Sequence, residues 1–159
     1  MVREHQLVLF LCTGNFYRSR YAEALFNYEA PIRGLQWRAH SAGFRPHLAT
    51  EDLSHYVEEQ LATRGISADH TRQLPGKVTV EELTEAALVI ALYESEHRPM
   101  MREQFPRWTQ RVHYWDVPDI DELTPDHALP LIDAKVESLI DDLGRGHALG
   151  QTRDVLVEF

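Results

Sequence analysis

Residues 7–20 read Leu7-Val8-Leu9-Phe10-Leu11-Cys12-Thr13-Gly14-Asn15-Phe16-Tyr17-Arg18-Ser19-Arg20. Five consecutive apolar residues, stopped by turn-forming Thr13, Gly14 and Asn15, describe a strand buried on both faces. A helix is expected from Arg18 to about Ala30, because Tyr21, Ala24, Leu25 and Tyr28 recur at i, i+3, i+4 and i+7. Pro31 to Gly34 should break it.

The same alternation continues along the chain. Leu35 to Ser41 reads as a second strand, halted by Ser41-Ala42-Gly43. Thr50 is placed to cap a helix running to about Arg64, with Leu53, Val57 and Leu61 on one face and Gly65 as terminator. Thr79 and Glu82 have capping-box spacing. Ala87 to Leu92 is apolar enough for a central strand, Ser95 is placed to cap a helix to about Gln104, and Val112 to Trp115 is a short fourth strand. Thr124-Pro125 opens a last helical region striped by Leu131, Ile132, Val136, Leu139, Ile140 and Leu143; Pro130 should confine its regular part to the residues after it. The order β-α-β-α-α-β-α-β-α predicts an α/β fold: one three-layer domain, a four-stranded parallel sheet with helices on both faces. The domain should span residues 1–150, with 151–159 as an extension. Ligands of such sheets bind beyond the carboxyl ends of the strands, where Cys12 falls.

Composition narrows the function. The 159 residues carry 16 Lys+Arg and 25 Asp+Glu, so the net charge is 16 − 25 = −9. That balance argues against nucleic acid or an anionic membrane as partner. No apolar run approaches the roughly 20 residues of a membrane span, and the first residues do not resemble a secretion signal, so a cytoplasmic location is expected. Cys12 is the single cysteine, which excludes an intramolecular disulfide and any resolving thiol on this chain. Nine histidines are scattered without metal-ligand spacing, and no Walker or dinucleotide loop is present, so neither metal nor cofactor is expected.

The turn after the first strand carries the chemistry. Successive N–H groups of Thr13, Gly14, Asn15, Phe16 and Tyr17 can converge into an anion nest, reinforced by the helix N-terminus. Gly14 permits positive φ, and Asn15 tolerates it. Arg18 offers a planar fork for two phosphate oxygens, and Ser19 can donate to the Cys12 sulfur. A thiolate beneath a bound phosphoryl group is a nucleophile aimed at phosphorus. A buried structural cysteine with Arg18 as a solvated charge is the plainer alternative; the flanking strand and helix favour the anion loop.

Cys12-Thr13-Gly14-Asn15-Phe16-Tyr17-Arg18-Ser19 resembles the active-site loop of the low-molecular-weight protein tyrosine phosphatases. Ser41-Ala42-Gly43, Gly65-Ile66 with Asp69 to Leu74, and Ala87 to Leu92 are similar to further landmarks of that family. The resemblance implies a metal-independent phosphomonoester hydrolase with Cys12 as nucleophile, Arg18 binding the phosphoryl group, Ser19 assisting the cysteine, and the amides of residues 13–18 cradling oxygen. It implies a phosphotyrosine protein or small aryl phosphate as substrate. The family's general acid is an aspartate followed by proline. Here Asp119 takes that position with Ile120 in place of proline, while Asp116 competes and Asp121 is a more distant candidate.

Two further positions depart from the family. Tyr17 stands where many relatives have a second cysteine. Arg20 replaces a usual proline and is expected either at the mouth, attracting anions, or on the surface. Phe16, Tyr17, the loop Phe44-Arg45-Pro46-His47 and Tyr93 are candidate walls for an aryl group, Tyr93 fitting an ordinary packing role better. Two other functions fit the same loop: a phosphate-binding module whose chemistry has lapsed, and an arsenate reductase using an external thiol.

Overall fold

The computed structural model describes residues 5–145, so the expected boundary at residue 150 and the tail 151–159 lie outside it. The elements are β1 (Gln6–Cys12), α1 (Arg18–Ile32), β2 (Trp37–Gly43), α2 (His55–Thr63), α3 (Val80–Glu85), β3 (Leu88–Ala91), α4 (Glu94–Gln104), β4 (His113–Tyr114) and α5 (Pro125–Gly144), in the predicted order. They build a four-stranded parallel sheet ordered β2-β1-β3-β4. The chain leaves β1 towards β2 on one side and later reaches β3 on the other. The carboxyl end of β1 is therefore the switch point of the sheet, and Cys12 occupies it.

The period-2 pleat sorts the apolar run of β1 between two cores. Val8 and Phe10 face α1 and α5, joining Tyr21, Leu25, Phe26, Ile132 and Val136. Leu9 and Leu11 face the other layer, joining Val89, Ala91, Met101 and Val112. No helix among the described residues is long and apolar enough to cross a membrane.

Several boundaries differ from the sequence expectation, for physical reasons. The cap of α2 is Ser54, whose side chain accepts from the Tyr56 amide at 3.2 Å, not Thr50. Residues 50–53 are unavailable to the helix because the chain there is drawn onto the loop at residues 13–17, Ser54 N–H bonding Phe16 O at 2.7 Å. The N-cap of α4 is Tyr93 rather than Ser95, its amide held by His97 Nδ1 at 3.0 Å. β2 runs on to Gly43, which pairs with Cys12. Pro31 lies inside the last turn of α1, and α5 continues through Pro130. Proline at 130 forfeits one bond to the carbonyl of Asp126, and both residues are exposed, so water can satisfy that group. The capping box at Thr79 and Glu82 is present in both halves.

Candidate active site

The loop 13–17 leaves the buried end of β1 and enters α1 at Arg18. Asn15, with φ of 57°, makes its left-handed turn, and Gly14 does not have positive φ. A Cβ on Gly14 would lie 2.9 Å from the Phe16 ring, and one on Gly43 would lie 2.8 Å from Thr13 O and 2.9 Å from Asn15 Cβ. The loop carbonyls are engaged from outside: Cys12 O by Phe44 N, Thr13 O by Arg45 N, Asn15 O by Arg20 and Phe16 O by Ser54 N. In a trans peptide the C=O and the next N–H point opposite ways, so the amides of residues 13, 14, 16 and 17 turn to the other side, inward.

Hydrogen-bond directions around the cysteine follow from one carboxylate and one amide. Gly76 N–H donates to Asn15 Oδ1 at 3.0 Å, so Asn15 Nδ2 is the donor to Ser19 Oγ at 2.8 Å and Ser41 Oγ at 3.1 Å. The Ser41 hydroxyl in turn donates to Glu23 Oε1 at 2.6 Å. The Ser19 hydroxyl, already accepting from Asn15, has its proton free for Cys12 Sγ, 2.9 Å away. Cys12 and Ser19 are both buried.

Arg18 is 1% exposed and tightly committed. Nη2 and Nη1 donate to the two oxygens of Glu96 at 2.7 and 3.2 Å, and Nη1 also donates to Val117 O at 3.1 Å. Of the five N–H bonds of a guanidinium, that leaves the edge formed by Nε and Nη2, which matches two phosphoryl oxygens. Burial would lower the Arg18 pKa, but Cys12, Glu96 and Asp119 outweigh it and raise it. Glu96 also accepts from the Thr13 hydroxyl and lies 3.1 Å from His97 Nε2. Burial opposes its ionisation, yet His97 and Arg18 hold its carboxyl well below the usual carboxylate range. The Tyr93 amide fills His97 Nδ1, so the proton sits on Nε2; burial keeps this imidazole neutral, its pKa lowered.

Asp119 reaches the site, with Oδ2 3.3 Å from Arg18 Nη2. Asp116 is exposed and bridges to Tyr93, and Asp121 is exposed. Phe16 lies partly exposed against the loop, whereas Phe44 is buried and stacked on His97 at 5.6 Å, so it is floor and not wall. Arg20 corrects both sequence expectations: at 1% exposure it is neither at the mouth nor on the surface. Glu96, His97, Glu23 and Ser41 do not stand out individually by their residue types. Their signal is positional, since Ser41 lies near the carboxyl end of β2, paired with Phe10 two residues before Cys12, and Glu96 follows the carboxyl end of β3. Among the described residues no cluster of His, Cys, Asp and Glu is arranged to hold a metal ion.

Residues 7–145 match the family described as low molecular weight phosphotyrosine protein phosphatase. A protein-arginine-phosphatase of Bacillus subtilis is 32% identical over 105 residues, covering 66% of this chain and 67% of its own. The crystal structure of YfkJ from Bacillus subtilis superposes with a TM-score of 0.77 at 26% identity, covering 91% of this chain and 98% of that one. A mutant of the YwlE arginine phosphatase with a phosphorylated active-site serine superposes at 0.69 with 25% identity, covering 89% and 95%.

Proposed function

The chain belongs to the low molecular weight phosphotyrosine protein phosphatase family, and from that premise we propose that it hydrolyses phosphotyrosine-type aryl monoesters through a phosphocysteine intermediate. The observation that carries the reading is the convergence on one loop of the Cys12 sulfur, a Ser19 hydroxyl with its proton free for it, and an Arg18 guanidinium with Nε–H uncommitted and Nη2 ion-paired with Asp119.

The inward amides and the Nε and Nη2 edge of Arg18 bind the phosphoryl oxygens, which take the place of Asp119 Oδ2 at Nη2, and oppose the charge that builds on them in the transition state. Cys12 Sγ attacks phosphorus in line; an S–P bond forms as the P–O bond to the leaving group breaks. Asp119 gives its proton to the departing oxygen. Its carboxylate then takes a proton from water, whose oxygen attacks phosphorus. Inorganic phosphate leaves and the sulfur is regenerated as thiolate, so protons and charge balance over the cycle.

A second reading, cleavage of the phosphorus–nitrogen bond of phosphoarginine, is favoured by the likeness to the Bacillus subtilis protein-arginine-phosphatase. Both readings use Cys12, Arg18 and Asp119 alike and differ in the leaving group. The test is steady-state hydrolysis of a phosphotyrosine peptide and a phosphoarginine peptide in EDTA, by wild type, Cys12→Ser and Asp119→Ala. The proposal expects the tyrosine substrate to be preferred, Cys12→Ser to abolish turnover, and mass spectrometry of acid-quenched enzyme to find phosphate on Cys12. Preference for phosphoarginine selects the second reading. Phosphate binding without turnover of either substrate leaves a binding module, and thiol-dependent reduction of arsenate would move the chain to the reductase class.

A further inference from the structure

The Arg20 side chain lies behind the anion loop and donates four hydrogen bonds. Nε donates to Thr71 Oγ1 at 2.6 Å, Nη1 to Asp52 O at 2.8 Å and to Asn15 O at 3.3 Å, and Nη2 to Arg72 O. One guanidinium thus joins the loop, the segment before α2 and the segment at residues 71–72. A buried cation is costly unless its donors are matched, and an apolar residue would fill the space more cheaply. Its counter-charge is Glu23, reached through Thr71: that hydroxyl accepts from Arg20 and donates to Glu23 Oε1 at 2.7 Å.

These contacts close a ring. Asn15 Nδ2 donates to Ser41, Ser41 to Glu23, Thr71 to Glu23, Arg20 to Thr71, and Arg20 again to the carbonyl of Asn15. Asn15, the one non-glycine residue with positive φ among the described residues, is therefore held by its side chain and its backbone together. Fixing the Asn15 carbonyl outward fixes the Phe16 N–H inward, because the two share one rigid peptide plane.

We propose that Arg20 is a positioning residue that holds the Asn15–Phe16 peptide in its anion-binding orientation before any anion arrives. The proposal rests on the reading of this loop as a phosphoryl site. Holding the peptide in advance removes an ordering cost from binding, so loss of Arg20 weakens affinity for the anion more than it slows the committed complex. Lysine cannot replace it, because a single ammonium lacks the planar fork that spans Thr71 and the three carbonyls.

The test compares wild type with Arg20→Lys, Arg20→Met and Thr71→Val, the last cutting the ring while leaving the guanidinium in place. Inorganic phosphate is titrated by NMR, and 15N relaxation dispersion is recorded at Phe16 and Tyr17 with and without it. The expected result is a flat dispersion profile in wild type and microsecond–millisecond exchange at both amides in the folded variants, quenched by saturating phosphate. Phosphate affinity should fall at least tenfold in both Arg20 variants and severalfold in Thr71→Val, with KM rising more than kcat falls. A merely structural role would lower the melting temperature and leave phosphate affinity and the dispersion profiles of the folded protein unchanged; that outcome overturns the proposal. If both Arg20 variants fail to fold, Thr71→Val decides by the same two readouts. Absence of turnover in wild type alongside quenched dispersion would sink the hydrolase reading and leave the positioning role standing.

Discussion

The backbone N–H of Ile120 donates to Asp119 Oδ1 at 2.8 Å, leaving Oδ2 as the oxygen turned towards Arg18. Proline, expected at position 120 from the family resemblance, has no N–H and cannot make this bond. The departure thus supplies its own means of orienting the carboxylate. The Ile120 side chain is 43% exposed and takes no part in it. Ile120→Ala is expected to keep activity within about twofold, because the N–H remains. Asp119→Asn should lower kcat by about 10²–10³ for an ester with a poor leaving group, within the usual range for general acid catalysis. For an activated aryl phosphate, whose leaving oxygen needs no proton, the loss should be far smaller. Equal losses on both substrates would remove Asp119 from the acid's role.

Glu96 holds Arg18 by two oxygens and accepts from Thr13 as well, so the arginine is aimed by a carboxylate outside the loop. Glu96→Gln keeps the shape and removes the charge from a largely buried pair. Charge-assisted hydrogen bonds of this kind contribute about 1.5–3 kcal/mol, so phosphate affinity and kcat/KM should each fall at least about tenfold. The pH dependence has a definite sign. The folded-state pKa of Glu96 is depressed, so its stabilisation is present above the unfolded value of about 4.3 and drains away as pH falls below it. Acid unfolding of wild type followed by circular dichroism should therefore be steeper below about pH 4 than that of Glu96→Gln.

Gly43 ends β2 where Thr13 and Asn15 pass over it, and a Cβ there would lie inside 3 Å of backbone oxygen. Neither neighbour is the free end of a flexible side chain, so the loop itself must move. Gly43→Ala should cost about 1–3 kcal/mol of stability, as overpacking does, and reduce phosphate binding by more than tenfold. A variant with wild-type phosphate affinity would show that the loop tolerates the shift.

The architecture is legible in the sequence because its signals are local: two apolar runs at Leu7–Leu11 and Ala87–Leu92, and turn residues between amphipathic stretches. The loop is legible for the same reason, since Cys12, Arg18 and Ser19 sit within eight residues. The hidden part depends on contacts across the sheet. Nothing near Glu96 in sequence indicates that it meets Arg18, 78 residues away. His97 looks like any helix histidine until Tyr93 N–H and Phe44 enclose it. Arg20 defeats a sequence reading because an arginine in a first helical turn is usually solvated, and its acceptors at residues 52 and 71–72 become neighbours only in the folded chain. The caps expected at Thr50 and Ser95 fail similarly: tertiary bonds draw Ser54 N–H to Phe16 O and Glu94 N–H to Trp115 O, and at α4 the Tyr93 N–H is also taken locally by His97.

Tyr17 is 4% exposed, packs in the main core, and its hydroxyl has no hydrogen-bond partner. Burial, and secondarily the charge of Asp119, push its pKa up to about 12, so it remains a neutral phenol throughout the working range. A buried hydroxyl without a partner costs about 1–3 kcal/mol, and phenylalanine would keep the ring while removing that cost. Tyr17→Phe should therefore be as stable as wild type or more so. A gain of 1 kcal/mol corresponds to a melting temperature higher by about 2–4 °C for a domain of this size. Calorimetry checks the first half of the prediction and steady-state kinetics the second, for which kcat/KM should stay within about twofold. A drop of tenfold or more with unchanged stability would mean that the hydroxyl finds its partner on the substrate, making Tyr17 part of the binding site and accounting for why the chain keeps an unsatisfied phenol there.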